Sequence, residues 1–191
     1  LQIGEIQGAG HISPFVDNEV TTSGIVTAVA TNGFYLQAPE GDGNSATSDA
    51  IFVFTGTAPT VVAGDAITVT GTVNEFQGGG DPSNLTVTQL INPSITVESS
   101  GNALPSAVLI GPDGLRPPTE IIDDDDFSVF DPENDGIDFF ESLEGMLVTI
   151  QNPVAVDATN GFGELWTVAS AGANNFAASN VSDDGLIIVH G

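Results

Sequence analysis

The sequence contains no cysteine and no lysine, and its only arginine is Arg116. Without cysteine there is no disulfide framework and no thiolate metal site. A single fixed cation stands against 26 Asp and Glu, for a formal net charge of −25. Nucleic-acid affinity depends on Lys and Arg displacing counterions, so direct nucleic-acid binding is not expected. Such a surface favours solubility in salt and attracts cations. Apolar runs stop after roughly four to six residues, where a membrane-spanning helix needs about 20. The opening LQIGEIQGAG has neither a basic n-region nor an apolar h-region. No Met precedes it, which fits a mature, processed chain. Only two imidazoles are present, His11 and His190. No G-x-S-x-G, no H-E-x-x-H and no phosphate loop occurs, so the expectation is a protein without enzymatic activity.

What the sequence has is strand signal. Short β-branched and aromatic runs alternate with Gly, Pro, Asn and Asp turns. They predict strands near Val20–Ala30, Gly33–Gln37, Ala50–Thr55, Ala66–Glu75 and Leu85–Leu90, with a further one near Ile95–Glu98. Asn32 and Gly33 suit a tight hairpin. Five strands of this length and order fit a small Greek-key barrel of the OB type over residues 1–98. Residues 99–136 read as a connector that ends in an acidic loop. IDFFESLEGM is the one helix-like segment, with Phe139, Phe140, Leu143 and Met146 roughly on one face and Gly145 as its stop.

A second unit, 137–191, repeats the start of the first. TNGF at Thr31–Phe34 returns at Thr159–Phe162, again after an alternating apolar run. Strands are predicted at Met146–Val156, Gly163–Ala169 and Gly185–Val189. Nothing after Trp166 matches the GDAITVTGTV strand of the first unit, so about two strands of a second barrel are missing by this reading. The fold class is thus all-β: an OB-like Greek-key barrel, then an incomplete OB-like β-unit with one short helix.

Several stretches carry a resemblance: IGEIQGAGHISPF, GIVTAVATNGFYLQAPEGDGNSATSDAIFVFTG, ITVTGTVNEF and ESLEGMLVTI. They resemble the OB-like β-domains that precede the catalytic domain of bacterial secreted nucleases of the endonuclease/exonuclease/phosphatase family. The resemblance covers most of the chain. It implies a secreted bacterial protein with tandem OB-like modules, and an extracellular or cell-surface location. It does not carry over catalysis, because that domain's metal-binding acid, His and Asn motifs have no counterpart here.

The strongest chemical signal is DPENDGIDFFE. Asp131, Glu133 and Asp135 alternate and Gly136 follows, as at the opening of a Ca²⁺ loop. The carbonyl of Ile137, then Asp138 or Glu141, would complete a calcium shell. Position twelve is Ser142, not the bidentate Glu of an EF-hand. The competing reading is a solvated acidic loop that caps the helix. Asp123–Asp126 form a charge run, in which neighbours about 7 Å apart repel by roughly 0.6 kcal/mol per pair in water. Asp42, Asn44 and Asp49 suit side-chain-to-backbone turn bonds more than metal. His11 reads as a structural hydrogen-bonding residue. Phe34, Tyr35, Phe52, Phe54 and Trp166 offer either a sugar-stacking platform or core.

Two functions follow from these readings. One is a non-enzymatic extracellular structural protein that builds homo-oligomers or filaments by strand complementation. The open edge of the second unit would receive a strand. Leu186, Ile187, Ile188 and Val189 would pair with another subunit, and LQIGEIQ, with Leu1 and Ile3 on one face, would be a donor strand. The other is an accessory Ca-dependent positioning or substrate-binding module of a secreted nuclease or phosphatase.

Overall fold

A computed structural model of the chain describes residues 1–79, 84–151, 153–155, 158–159 and 167–169. Five strands close into a barrel: β1 (Glu19–Val29), β2 (Gly33–Gln37), β3 (Ala50–Phe54), β4 (Ala66–Gln77) and β5 (Thr86–Ser99). Their order around the barrel is β1-β2-β3-β5-β4. β3 and β5 run parallel and the other neighbours antiparallel. This is the predicted Greek-key barrel.

Alternation builds it. In β4, Ile67, Val69 and Val73 point inward between half-buried polar neighbours. They meet Val26, Phe34 and Leu90 in one core. β1 serves two partners, pairing β4 up to Ile25 and β2 from Ile25 onward. Gly24 lies at that corner, where an added Cβ would come within 2.6 Å of the Gln37 carbonyl oxygen. Only glycine permits so close a strand crossing.

The segments expected at Leu85–Leu90 and Ile95–Glu98 are one strand. Asn92 (φ 53) and Pro93 read as a break in the sequence. In the barrel a bulge absorbs them: Thr72 faces Ile91 and Thr70 faces Ser94, and pairing with β4 continues on both sides.

A second correction concerns the N-terminus. LQIGEIQ is not an extended donor strand. Residues Ile3–Gln7 form a helix, α1, whose Ile3 and Ile6 are fully buried in the barrel core. Helical spacing puts both on one side, which is why Ile6 breaks a strand-like alternation. Glu5 accepts a hydrogen bond from the Gln2 amide (2.7 Å) and starts the helix. The Leu1 amino group donates to Thr21 O (3.0 Å), and Thr22 Oγ1 donates to Leu1 O (2.9 Å). Leu1 and Ile3 are therefore engaged within their own chain.

Beyond the barrel the elements are short. β6 (Val108–Ile110) pairs in parallel with β7 (Val148–Ile150), and β8 (Pro153–Ala155) pairs antiparallel with β9 (Thr167–Ala169). β6 lies inside the expected connector, where four consecutive apolar residues, Ala107–Ile110, show no alternation. The single strand expected at Met146–Val156 is divided between two separate sheets, at β7 and β8. In the first unit Val29 pairs with Phe34 around the TNG turn. In the second the innermost described pair is Ala155 with Thr167, so the repeat in sequence is not a repeat in register. Helix α2 spans Gly136–Glu141, shorter than predicted. Phe139 is buried and packs edge-on against half-buried Phe140, with ring centroids 5.2 Å apart. Gly145 (φ 69) turns the chain as expected. No described helix is long and apolar enough to cross a membrane. Leu186–Val189 and Trp166 lie outside the described residues.

Candidate functional site

The functional candidates meet where α2 and the turn after it lie on the barrel. The DPENDGID loop is organised first by its own backbone. Asp131 O accepts from Asn134 N (3.1 Å) and Asp135 N (2.9 Å), and Asp131 Oδ2 accepts from Asn134 Nδ2 (2.8 Å). Gly136 N and Ile137 N donate to Ile121 O and Ile122 O, at 3.0 and 3.1 Å, anchoring the helix start.

Asp138 is fully buried, although it lies off the helix face that Phe139, Phe140, Leu143 and Met146 share. Its Oδ2 accepts from Asp131 N (2.6 Å), and its Oδ1 lies 2.9 Å from His11 Nε2. That contact is not aligned as a hydrogen bond, and His11 Nδ1 has no hydrogen-bond partner among the described residues. Phe127 and Phe130 meet the imidazole edge-on, each with a centroid distance of 5.2 Å. His11 thus faces the Asp138 carboxyl between two aromatic rings and makes no hydrogen bond among the described residues, rather than serving as a hydrogen-bonding turn residue. Asp135 is also buried. That burial, followed by the charges of Asp124, Asp138, Asp123 and Asp125, pushes its carboxyl above the usual range.

The six expected calcium ligands divide accordingly. Asp131 and Asp138 bond within the loop, Asp135 and Ile137 flank the helix start, Glu133 is exposed, and Glu141 belongs to a different cluster. Among the described residues no group of three or more His, Cys, Asp or Glu is arranged to hold a metal ion.

The Asp123–Asp126 run is more than a solvated string. Asp123 accepts from Asp126 N and Phe127 N, and Asp125 Oδ1 accepts from Ser128 N and Val129 N. In the other acidic loop Asp49 accepts from Asp42 N, Asp42 from Asn44 N, and Asn44 from Ala46 N. These are the turn bonds its composition implied.

Glu75, Glu141 and Glu144 form the second cluster, at the barrel surface. Glu75 on β4 accepts from Ser13 N (2.8 Å), Thr86 Oγ1 (2.7 Å) and Thr88 Oγ1 (3.0 Å). Glu144 takes Gln7 Nε2 and Thr88 N, each at 3.4 Å. Burial pushes the Glu144 carboxyl up to about 7; bonds from Gln7 and Thr88 oppose the rise, and Glu75 adds to it. Burial, then the charges of Glu144, Glu75 and Asp138, pushes Glu141 up to about 8. Glu75 and Glu144 lie in ITVTGTVNEF and ESLEGMLVTI, stretches that carry a resemblance but no chemical motif. With 26 acidic residues in the chain, spacing alone does not single them out.

The same segment covers part of the barrel face that OB folds use for oligonucleotides and oligosaccharides, the face of strands β2 and β3, and leaves Tyr35 there 36% exposed. Ser48 Oγ donates to Glu144 O (2.6 Å), and Leu147 N donates to Gln37 Oε1 (2.8 Å). A Cβ on Gly145 would touch Tyr35 at 3.4 Å. Tyr35 stacks edge-on with Phe52 at 5.0 Å, and its hydroxyl pKa is raised by burial and then by Glu144. Phe34, offered as a platform residue, is core, and Phe52 and Phe54 are half-buried.

Residues 109–191 match a family described as a domain of unknown function (DUF8508). The match begins inside β6 and leaves the barrel outside it. No curated protein matches the chain.

Proposed function

We propose that this chain is a non-enzymatic extracellular structural protein that assembles with other copies of itself by β-strand complementation. The observation that carries the reading is the contrast between its two halves. The first closes its barrel, so no strand edge is left over. The second holds two two-stranded sheets, β6–β7 and β8–β9, each without a third strand among the described residues. Isolated two-stranded ribbons are marginal in water, and their edges are templates for another chain. All three residues of β8 are exposed, including Val154 at 48%, and Val148 on β7 is exposed at 37%. Strand addition would cover them, with main-chain hydrogen bonds supplying affinity. Pairing of Leu186–Val189 with another copy belongs to this reading and rests on their apolar β-branched character alone.

The extracellular setting draws on the lysine-free, acidic composition and on the resemblance to secreted β-domains. The alternative, a substrate-positioning module of a secreted nuclease, has less support, because the Glu144–Leu147 segment overlies part of the barrel face such a module would use.

Sedimentation velocity over a wide concentration range, with electron microscopy of the same samples, tests the proposal. Oligomers or filaments are expected, and Val154→Lys, which puts a charge on an open edge, is expected to reduce them. A monomer at every concentration overturns it.

A further inference from the structure

The turn between α2 and β7 is held on the barrel by contacts of two kinds. Two involve its backbone and are short: Ser48 Oγ to Glu144 O at 2.6 Å, and Leu147 N to Gln37 Oε1 at 2.8 Å. Two involve the Glu144 carboxyl and are long: Gln7 Nε2 and Thr88 N, each at 3.4 Å. Glu144 is the one ionisable residue of Glu144–Leu147. The groups that act on it or feel it are Glu75 from β4, Glu141 from α2 and Tyr35 from β2. The other contacts, Gln7 from α1, Ser48 from the loop before β3 and Thr88 from β5, are neutral. The chain has no lysine, and Arg116 donates to Pro112 O. Ionised Glu144 therefore sits beside acids, largely out of water, with two weak bonds in return.

We propose that the Glu144–Leu147 turn is a pH-operated latch, closed on the barrel while Glu144 carries a proton and released about Gly145 when it ionises. Gly145, at φ 69, supplies the hinge. The released turn would expose more of Tyr35, now 36% exposed, and loosen the link between the barrel and β7. The inference does not depend on strand complementation, since it concerns one chain alone.

Burial holds the Glu144 carboxyl up at about 7, so the latch works near neutrality. Once open, Glu144 returns to its ordinary value of 4.5. Between those values the open form has lost a proton that the closed form keeps. Opening therefore becomes easier as pH rises through this window, and levels off above it. The change is roughly a hundredfold in the opening equilibrium.

Amide hydrogen exchange by NMR on the whole chain reads the latch at Leu147 N. Val26 N, bonded to Asp65 O at 2.9 Å in the core, serves as the internal reference. After correction for intrinsic rates, Leu147 protection is expected to fall about a hundredfold between pH 4.5 and 8 while staying well below that of Val26, which reports global unfolding. In Glu144→Gln the fall should vanish. A Leu147 profile that is flat in the wild type, or equally steep in Glu144→Gln, overturns the proposal. If that variant does not fold, Glu75→Gln replaces it: removing the neighbouring charge should move the midpoint to lower pH, and an unmoved midpoint overturns the proposal equally.

Discussion

His11 Nε2 lies 2.9 Å from Asp138 Oδ1, joining the loop after the first helix to the buried face of the second. Together they pin the acidic loop to the barrel. Removing one partner of a buried pair leaves the other charge uncompensated and costs about 3–5 kcal/mol. In acid, where the imidazole carries its proton, His11→Ala is expected to destabilise by an amount near the lower end, since the imidazole side chain keeps 10% exposure. Urea denaturation checks it, together with the His11→Ala/Asp138→Asn double variant. The double variant should recover part of the loss, because the orphaned carboxylate is gone. Additive losses would argue against the pair.

Glu141 sets a pH dependence of the global fold. Its folded pKa, about 8, stands above its ordinary 4.5. A raised carboxyl stabilises in full below 4.5, and that contribution is lost as pH climbs towards 8. Glu141→Gln should therefore change little at pH 4 and stabilise at pH 9, by on the order of 3 kcal/mol. Melting curves of both proteins across this range decide it; equal midpoints at pH 9 would contradict the placement.

Ile6 tests the docking of α1. It is fully buried in the barrel core. Ile6→Ala should cost about 2–5 kcal/mol by equilibrium denaturation. An exposed donor strand would lose almost nothing at this position.

Calcium distinguishes the two readings of DPENDGID. With Asp138 engaged by His11 and the Asp131 amide, the loop as folded offers no assembled shell. A solvated acidic loop predicts the same melting midpoint in calcium and in chelator at fixed ionic strength. The calcium reading predicts a rise in calcium that disappears in Asp135→Asn; at 100-fold excess over Kd one site adds about 2.7 kcal/mol.

The barrel was legible because its information is local and periodic. Alternation in AITVTGTV marks which residues of β4 face the core, and Asn32-Gly33 marks the β1–β2 turn. These follow from a two-residue side-chain period and from backbone preference, which do not wait for the rest of the chain. The Asx turns at Asp42 and Asn44 were legible for the same reason. Where a local signal misled, tertiary context overrode it. Asn92 and Pro93 look like a strand end, yet β4 holds both sides of the bulge. LQIGEIQ alternates imperfectly because it is a helical turn, and the open end of the barrel decides that Ile3 and Ile6 go inside. Of the junction, Asp138 and Glu141 stood out only as candidate ligands, and their actual partners were not legible. Asp138 and Glu144 are two acids among 26 in the sequence. Only the fold brings His11 to the first, Gln7, Thr88 and Glu75 to the second, and removes water from both. Desolvation and through-space charge have no sequence period, so what sets these residues apart exists only once the chain has closed on itself.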